Sequence, residues 1–344
     1  MTSQTPPQQP TRRSRFLRTG ALFGTSLVAA LIFGEIVARV AVPVRNIGPT
    51  FSEYDPVYGK RLKKSFSCTR IAAEFTMQFT TNSLGFRGPE PVQFPSNSIL
   101  FLGDSFTSGY GVNDEEEFPA IIRRALEHRM GQSAPPVVNA GSGNIGNGYW
   151  LKFLQQEAHR YTPQLVVFGF CVNDFLDNAV EGVYRVGGDG ALRESGVLPR
   201  QEGARTVQAV IEGIPGLAYS HLVGLARQFF SEGWGAGPAP ASGQVDNSLT
   251  YALLDSTFSF CARQGFPVLL LAVEVDTARL SVMRRIAERH RIPLIEAPSK
   301  WVRPELYYHV DGHWNASGHA AVAQLVLPYV DNVLFAKTVT PERE

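Results

Sequence analysis

Residues 98–106 read Ser98-Ile99-Leu100-Phe101-Leu102-Gly103-Asp104-Ser105-Phe106, a short apolar run closed by a small polar turn. An unbroken apolar run of this length, ending in Gly, is the pattern of a strand buried on both faces of a parallel sheet. Downstream, the stretch from Phe118 to Met130 carries Ile121, Ile122, Ala125 and Leu126 on one stripe, with Arg123, Arg124 and Glu127 outside it, which predicts a helix. Pro136 to Asn139 then reads as a second strand, Tyr149 to Tyr161 as a second helix and Leu165 to Phe170 as a third strand. After an interruption the rhythm resumes: helix over Ser248–Arg263, strand over Pro267–Val273, helix over Arg279–His290 and a last strand at Pro293–Ile295. Strands alternating with helices in this order predict an α/β protein, a doubly wound parallel sheet with helices on both faces.

In such a sheet ligands bind at the carboxyl ends of the strands. Four polar clusters fall there. Gly103-Asp104-Ser105-Phe106 follows the first strand and exposes a serine at the strand-to-helix turn, beside backbone N–H groups able to receive an oxyanion. Alone, the tripeptide reads equally as a helix-capping turn. Asn139-Ala140-Gly141-Ser142-Gly143-Asn144 follows the second strand, with small residues that let a backbone N–H approach a ligand. Gly169 to Asp174 follows the third and offers the Asn173 amide, either as an oxyanion donor or as a helix cap. The fourth cluster is Val310-Asp311-Gly312-His313-Trp314-Asn315. Residues two apart in extended chain face the same way, so Asp311 and His313 point into one site, the carboxylate fixing the imidazole tautomer.

The chain has 344 residues, 44% hydrophobic and 18% charged, enough for a sizeable core. A net charge of +1 provides no global field for nucleic acid, and no nucleic-acid partner is expected. Cys68, Cys171 and Cys261 are too few for a disulfide framework, although a Cys68–Cys261 bridge is conceivable in an oxidising compartment. Arg12, Arg13, Arg15 and Arg18 precede an uncharged run from Gly20 to Gly34, which continues through Ile36, Val37 and Val40 with Glu35 and Arg39 spaced to pair. Basic residues ahead of an apolar helix predict a cytoplasmic N-terminus and a domain outside the cytoplasm. A cleavable signal peptide is the alternative, but no clean small-residue site follows the run.

Taken together the four clusters resemble the SGNH, or GDSL, hydrolase superfamily: GDSF at Gly103–Phe106, G-x-x-x-N-D at Gly169–Asp174 and DGHWNASGH at Asp311–His319. LGDSFTSGYGVNDEEEFP and TNSLGFRGPE are similar to members that carry an N-terminal membrane anchor. The resemblance implies a flavodoxin-like SGNH fold with Ser105 as nucleophile, His313 as general base and Asp311 orienting the imidazole. It further implies an oxyanion hole of the Ser105 and Gly143 N–H groups and the Asn173 side chain, with Gly141 or Asn144 as substitutes for Gly143. Asp and His stand two apart here rather than the usual three, a spacing similar to the branch that acts on exopolysaccharides.

The organisation expected from these readings is a cytoplasmic tail over 1–19, a transmembrane signal anchor over 20–42 and a connector over 43–95. A hydrolase domain over 96–335 follows, with a Gly- and Pro-rich insertion at about 178–247 whose role is open, a lid being one option. The expected activity is that of a serine esterase at the cell membrane, acting without cofactor or metal on acyl esters, acetyl foremost, of envelope or exported polysaccharide or of lipid. An O-acyltransferase using the same triad and a non-catalytic saccharide-binding protein are the rivals. A metal-dependent hydrolase is a third, because His309, Asp311 and His313 alternate and can offer three ligands on one face.

Overall fold

The computed structural model describes residues 12–41, 46–195, 202–233 and 247–335. The expected tail lies outside the described residues up to position 11, as do the junction at 42–45 and parts of the 178–247 segment. Helix α1 (Arg12–Ala41) comes first, followed by two antiparallel hairpins, β1 (Ser52–Asp55) with β2 (Gly59–Leu62) and β3 (Phe66–Ile71) with β4 (Thr76–Thr81). Then come β5 (Ile99–Gly103), α2 (Ser105–Ser108), α3 (Phe118–Met130), β6 (Val137–Asn139), α4 (Asn147–Tyr161), β7 (Leu165–Cys171) and α5 (Asp174–Glu181). A third hairpin, β8 (Tyr184–Val186) with β9 (Leu192–Glu194), leads to α6 (Glu202–Gly213) and α7 (His221–Gly233). The chain closes with α8 (Ser248–Gln264), β10 (Val268–Val273), α9 (Thr277–Arg289), β11 (Leu294–Glu296) and α10 (Ala316–Phe335).

Five of these strands form one parallel sheet in the order β11-β10-β7-β5-β6. Numbered along the sheet's own strands this is 2-1-3-4-5, the flavodoxin-like order, and its direction reverses between β5 and β7. Successive side chains of a strand point to opposite faces. Accordingly Leu100 and Leu102 join Trp150, Phe153, Phe258 and Met283 in one core layer, while Ile99 and Phe101 join Phe118, Ile122, Val322 and Val326 in the other. Burial on both faces is the reason β5 reads as continuous rather than alternating hydrophobicity. The three cysteines are free and buried, in three separate clusters: Cys68 with the hairpins, Cys171 and Cys261 on opposite faces of the sheet. The Cys68–Cys261 bridge is therefore not made.

Helix α1 is long and apolar enough to cross a membrane over Phe16–Ala41, with a mean hydropathy of 2.0. Phe23, Leu27, Leu31 and Phe33 are all exposed, so its apolar surface is not absorbed by the rest of the protein. Near its far end Glu35 pairs with Arg39 at 2.8 Å. The same carboxylate accepts from Ser220 Oγ at 2.7 Å and from the N–H groups of His221 at 3.0 Å and Leu222 at 3.1 Å, capping α7. Leu222 packs beside Gly34, where any larger residue would crowd it.

The described part of the 178–247 insertion lies outside the cleft. Among the described residues, none of 178–247 lines the cleft at Ser105. Glu212 of α6 accepts from Thr50 and pairs with Lys63 at 2.8 Å, and Gly48 N–H donates to Ala218 O at 2.9 Å. The segment thus buttresses the outer side of the N-terminal hairpins, because its polar side chains find their partners there.

Candidate active site

The reversal of strand order opens the sheet between the carboxyl ends of β5 and β7, and α2 turns tightly over that gap. Gly103 and Gly169 stand opposite each other on the two strands, and a Cβ on either would collide with the Thr107 hydroxyl of α2. Both motif glycines are thus explained by the space this helix needs. Asp104 caps α2 by accepting the Phe106 N–H at 3.0 Å, which fixes Ser105 at its first position. Burial raises the Asp104 carboxyl above its ordinary range, opposed by the nearby His313 and by the bonds from Phe106 and Asn173.

Ser105 Oγ lies 2.7 Å from His313 Nε2, and His313 Nδ1 lies 2.5 Å from Asp311 Oδ1. Gly312 takes φ +85°, a left-handed turn that brings its two neighbours onto one side. The imidazole is held between rings, Phe106 with its centroid 4.8 Å away and Tyr110 at 5.0 Å. Trp314 is buried against Phe106 and Phe118, a packing role.

In the second cluster the Gly141 N–H is engaged by Asn139 Oδ1 at 3.0 Å and the Ser142 N–H by Gly103 O at 3.0 Å. Gly143 comes next and lies beside Ser105, whose Cβ is 3.6 Å from where a Cβ on this glycine would stand. Asn144 (φ +55°) turns the chain away, lining the same cleft. Asn173 stands behind this cleft rather than in its wall. Its amide donates to Asp177 at 2.7 Å and also steadies Asp104, so an oxyanion would compete with these carboxylates for one N–H.

The cleft has a volume of about 340 Å³, and half of its wall is supplied by the stretch before the sheet: Asn46, Thr50, Phe51, Ser52, Lys60 and Arg70. The sequence reading assigned none of these. Lys60 Nζ donates to Gly143 O at 2.6 Å, holding the second-cluster loop from the β2 strand. Burial lowers the Lys60 ammonium, against the pull of Glu181 and Asp177. Burial in turn pushes Glu181 up to about 8 and Asp177 up to about 6. At the turn between β3 and β4, Glu74 accepts the N–H groups of His309, Val310 and Asp311, each at 2.8 Å. Two side chains from the hairpins therefore fix the loop beside Ser105 and the loop that carries His313.

Arg87, inside the TNSLGFRGPE stretch, joins the two parts. It donates to the carbonyls of Gln78, Ser108 and Val112 and pairs with Asp114 at 2.9 Å. The acidic run Asp114–Glu117 is divided by the fold. Glu115 faces outward to Arg123 and Arg124, whereas Glu117 is buried against Asn139, and burial pushes it up to about 8. His319 is fully buried, accepts the Phe118 N–H at 3.3 Å and is lowered to about 3 by desolvation, which keeps it neutral. His309 is exposed, and among the described residues no three His, Cys, Asp or Glu side chains gather as a metal site.

A family model described as the GDSL-like lipase/acylhydrolase family matches residues 101–321, which include Ser105, Gly143, Asn173, Asp311 and His313. An arylesterase of Vibrio mimicus is 37% identical over 83 residues, covering 24% of this chain and 40% of the relative. Among solved structures, a two-domain esterase active on acetylated mannans is 16% identical with a TM-score of 0.41, over 72% of this chain and 52% of its own. An acetyl-xylooligosaccharide esterase of Geobacillus Stearmophilus, in a mutant form, is 12% identical with a TM-score of 0.39, over 74% and 99%. The chain thus spans about half or less of the first of these relatives.

Proposed function

The chain belongs to the GDSL-like lipase/acylhydrolase family, and from that premise we propose that it is a membrane-anchored serine esterase removing short acyl groups from a polar alcohol. The observation that carries this reading is the unbroken relay from Asp311 through His313 to Ser105, with spacings of 2.5 and 2.7 Å. His313 Nε2 takes the proton as Ser105 Oγ attacks the ester carbonyl, while Asp311 holds Nδ1–H and stabilises the imidazolium. The Ser105 and Gly143 N–H groups receive the oxyanion, joined by the Asn173 amide once it releases a carboxylate. Collapse expels the alcohol with the proton from His313. Water, deprotonated by the same nitrogen, then releases the acid from the acyl-enzyme.

The wall of the cleft supports a short acyl chain, acetyl foremost. Asn46, Thr50, Lys60, Arg70 and Asn144 surround the nucleophile, and the structure offers there no long apolar channel for a fatty chain among the described residues. These polar side chains, with the Phe51 and Tyr110 rings beside them, suit a saccharide alcohol. The basic residues before an apolar helix favour a single-pass protein with its site outside the cytoplasm, where envelope or exported polysaccharide presents such esters.

The test is hydrolysis of p-nitrophenyl acetate, butyrate and octanoate by full-length protein in detergent. Ser105→Ala and His313→Ala should each lower kcat by about 10⁴-fold or more, with EDTA without effect on the parent and acetate preferred. Activity that survives Ser105→Ala, or that EDTA abolishes, would overturn the relay.

A further inference from the structure

Helix α6 is amphipathic in the wrong sense for a helix resting on a protein. Its Gln208 and Glu212 turn inward, to Thr50 and Lys63, while Val207 and Val210, with Ile214 just past its end, are 61%, 56% and 49% exposed. Positions 207, 210 and 214 recur at helical spacing, so they form one outward apolar strip. Single exposed apolar residues need no explanation, but an aligned strip beside polar inward contacts does.

Its position supplies the explanation. Glu35 lies 19 residues after Phe16, a rise of about 29 Å, close to the hydrocarbon thickness of about 30 Å. With Phe16 at one face of a bilayer, Glu35 emerges at the other. There it caps α7 through Ser220, His221 and Leu222, so the start of α7 is fixed at the level of the lipid headgroups. Ile214 precedes Ser220 by six residues, and the intervening turn at Leu217–Tyr219 shortens the distance further below the limit of about 22 Å. The apolar strip therefore lies within reach of the surface that α1 leaves.

We propose that α6 rests on the bilayer that α1 crosses, with Val207, Val210 and Ile214 dipped into the boundary between headgroups and acyl chains. Interfacial helices lie in this way, with their apolar face some 5–10 Å deep. Thr50, which α6 holds from outside, also walls the Ser105 cleft, and Ala218 holds Gly48 two residues before it, so the docked helix sets the cleft close over the lipid surface. The inference rests on the membrane reading of α1 but not on the esterase reading.

The experiment uses full-length protein in nanodiscs made with a phosphatidylcholine brominated on its acyl chains, or with the unbrominated lipid. Val210→Trp is compared with Val92→Trp, an exposed control whose neighbour Pro91 shares a pocket with residues of α3 and β6 and none of α6, and the parent emission is subtracted from both. The added tryptophan at 210 should lose the larger part of its emission in brominated lipid, and that at 92 none. Equal emission at 210 in the two lipids would overturn the docking. So would a blue-shifted but unquenched signal, since it would mean that protein, a second copy included, covers the strip. Flotation of the parent protein with liposomes separates the two levels. If it does not float, the spanning reading falls and the docking with it. If it floats and position 210 is unquenched, only the docking falls.

Discussion

Two regions share the site and divide its labour. The parallel sheet presents Ser105, Asp311 and His313 beyond the ends of its strands, and the two hairpins of residues 52–81 hold the loops around them in place. The sheet side is rigid up to the strand ends, with β5 and β7 fully buried. Beyond the ends, the loops have few partners of their own kind. Glu74 and Lys60 fill that need from outside, the first with three N–H bonds and the second with one carbonyl bond. Reactivity and positioning are thus encoded in different stretches of chain, and each can be disturbed without the other.

The largest test of this division is Glu74→Ala. It removes the acceptor of three backbone donors and should let the Asp311–His313 loop drift, costing about 10²-fold in kcat, the scale of a 1 Å misplacement. KM should move little, because Glu74 does not line the cleft. Glu74→Gln keeps one acceptor oxygen and should fall between parent and Ala. Steady-state kinetics on p-nitrophenyl acetate read both; an Ala variant at parental kcat would show that the sheet holds its own loop.

A smaller effect is expected at Lys60. Lys60→Met frees the Gly143 carbonyl and should lower kcat by roughly 10-fold through a loosened oxyanion loop. It also removes the charge that lowers Glu181 and Asp177, so both should titrate higher still. Lys60→Arg should restore more of kcat than Met. Equal loss in both variants would point to shape rather than to the bond.

The smallest effect concerns stability alone. Glu117 is raised in the folded protein to about 8 by burial, so the native state holds a proton there that the unfolded chain has released. Stability from this group is therefore lost as pH rises, by up to about 1.4 kcal/mol per pH unit between the ordinary carboxylate range and about 8. Glu117→Gln keeps the shape and the Asn139 contact without the titration. Its Tm should change less than the parent's between pH 6 and pH 9, as read by thermal melts. Parallel curves would place the pH dependence elsewhere.

The same division explains what could be read beforehand. The sheet was legible because each strand and helix carries its own pattern: β5 and β7 as apolar runs, α3 by its stripe from Ile121 to Leu126. The four polar clusters were legible because strand ends concentrate them. Of the hairpins, β4 alternates between exposed and buried positions, while β1, β2 and β3 carry no pattern as clear, their residues being mostly half-buried and mixed in polarity. Glu74 and Lys60 left no local trace. A lone charge in an irregular stretch reads as a solvated side chain, and their partners lie 235 to 237 and 83 residues further along. Arg87 gave a partial signal through TNSLGFRGPE, but its hub role depends on carbonyls brought together only by the fold. Glu35 was expected to meet Arg39 and does, yet its cap on α7 spans 186 residues and could not be seen.

The clasp on the last loop has a consequence for the making of the protein. Ser105 meets His313 across 208 residues, and Glu74 waits for Asp311 across 237. A chain emerging from synthesis at its usual pace of several residues per second carries Ser105, the nucleophile of the proposed reading, for many seconds before His313 is made. During that interval the serine is an ordinary hydroxyl. On the proposed reading, a chain ending before residue 313 holds Ser105 without the His313–Asp311 relay.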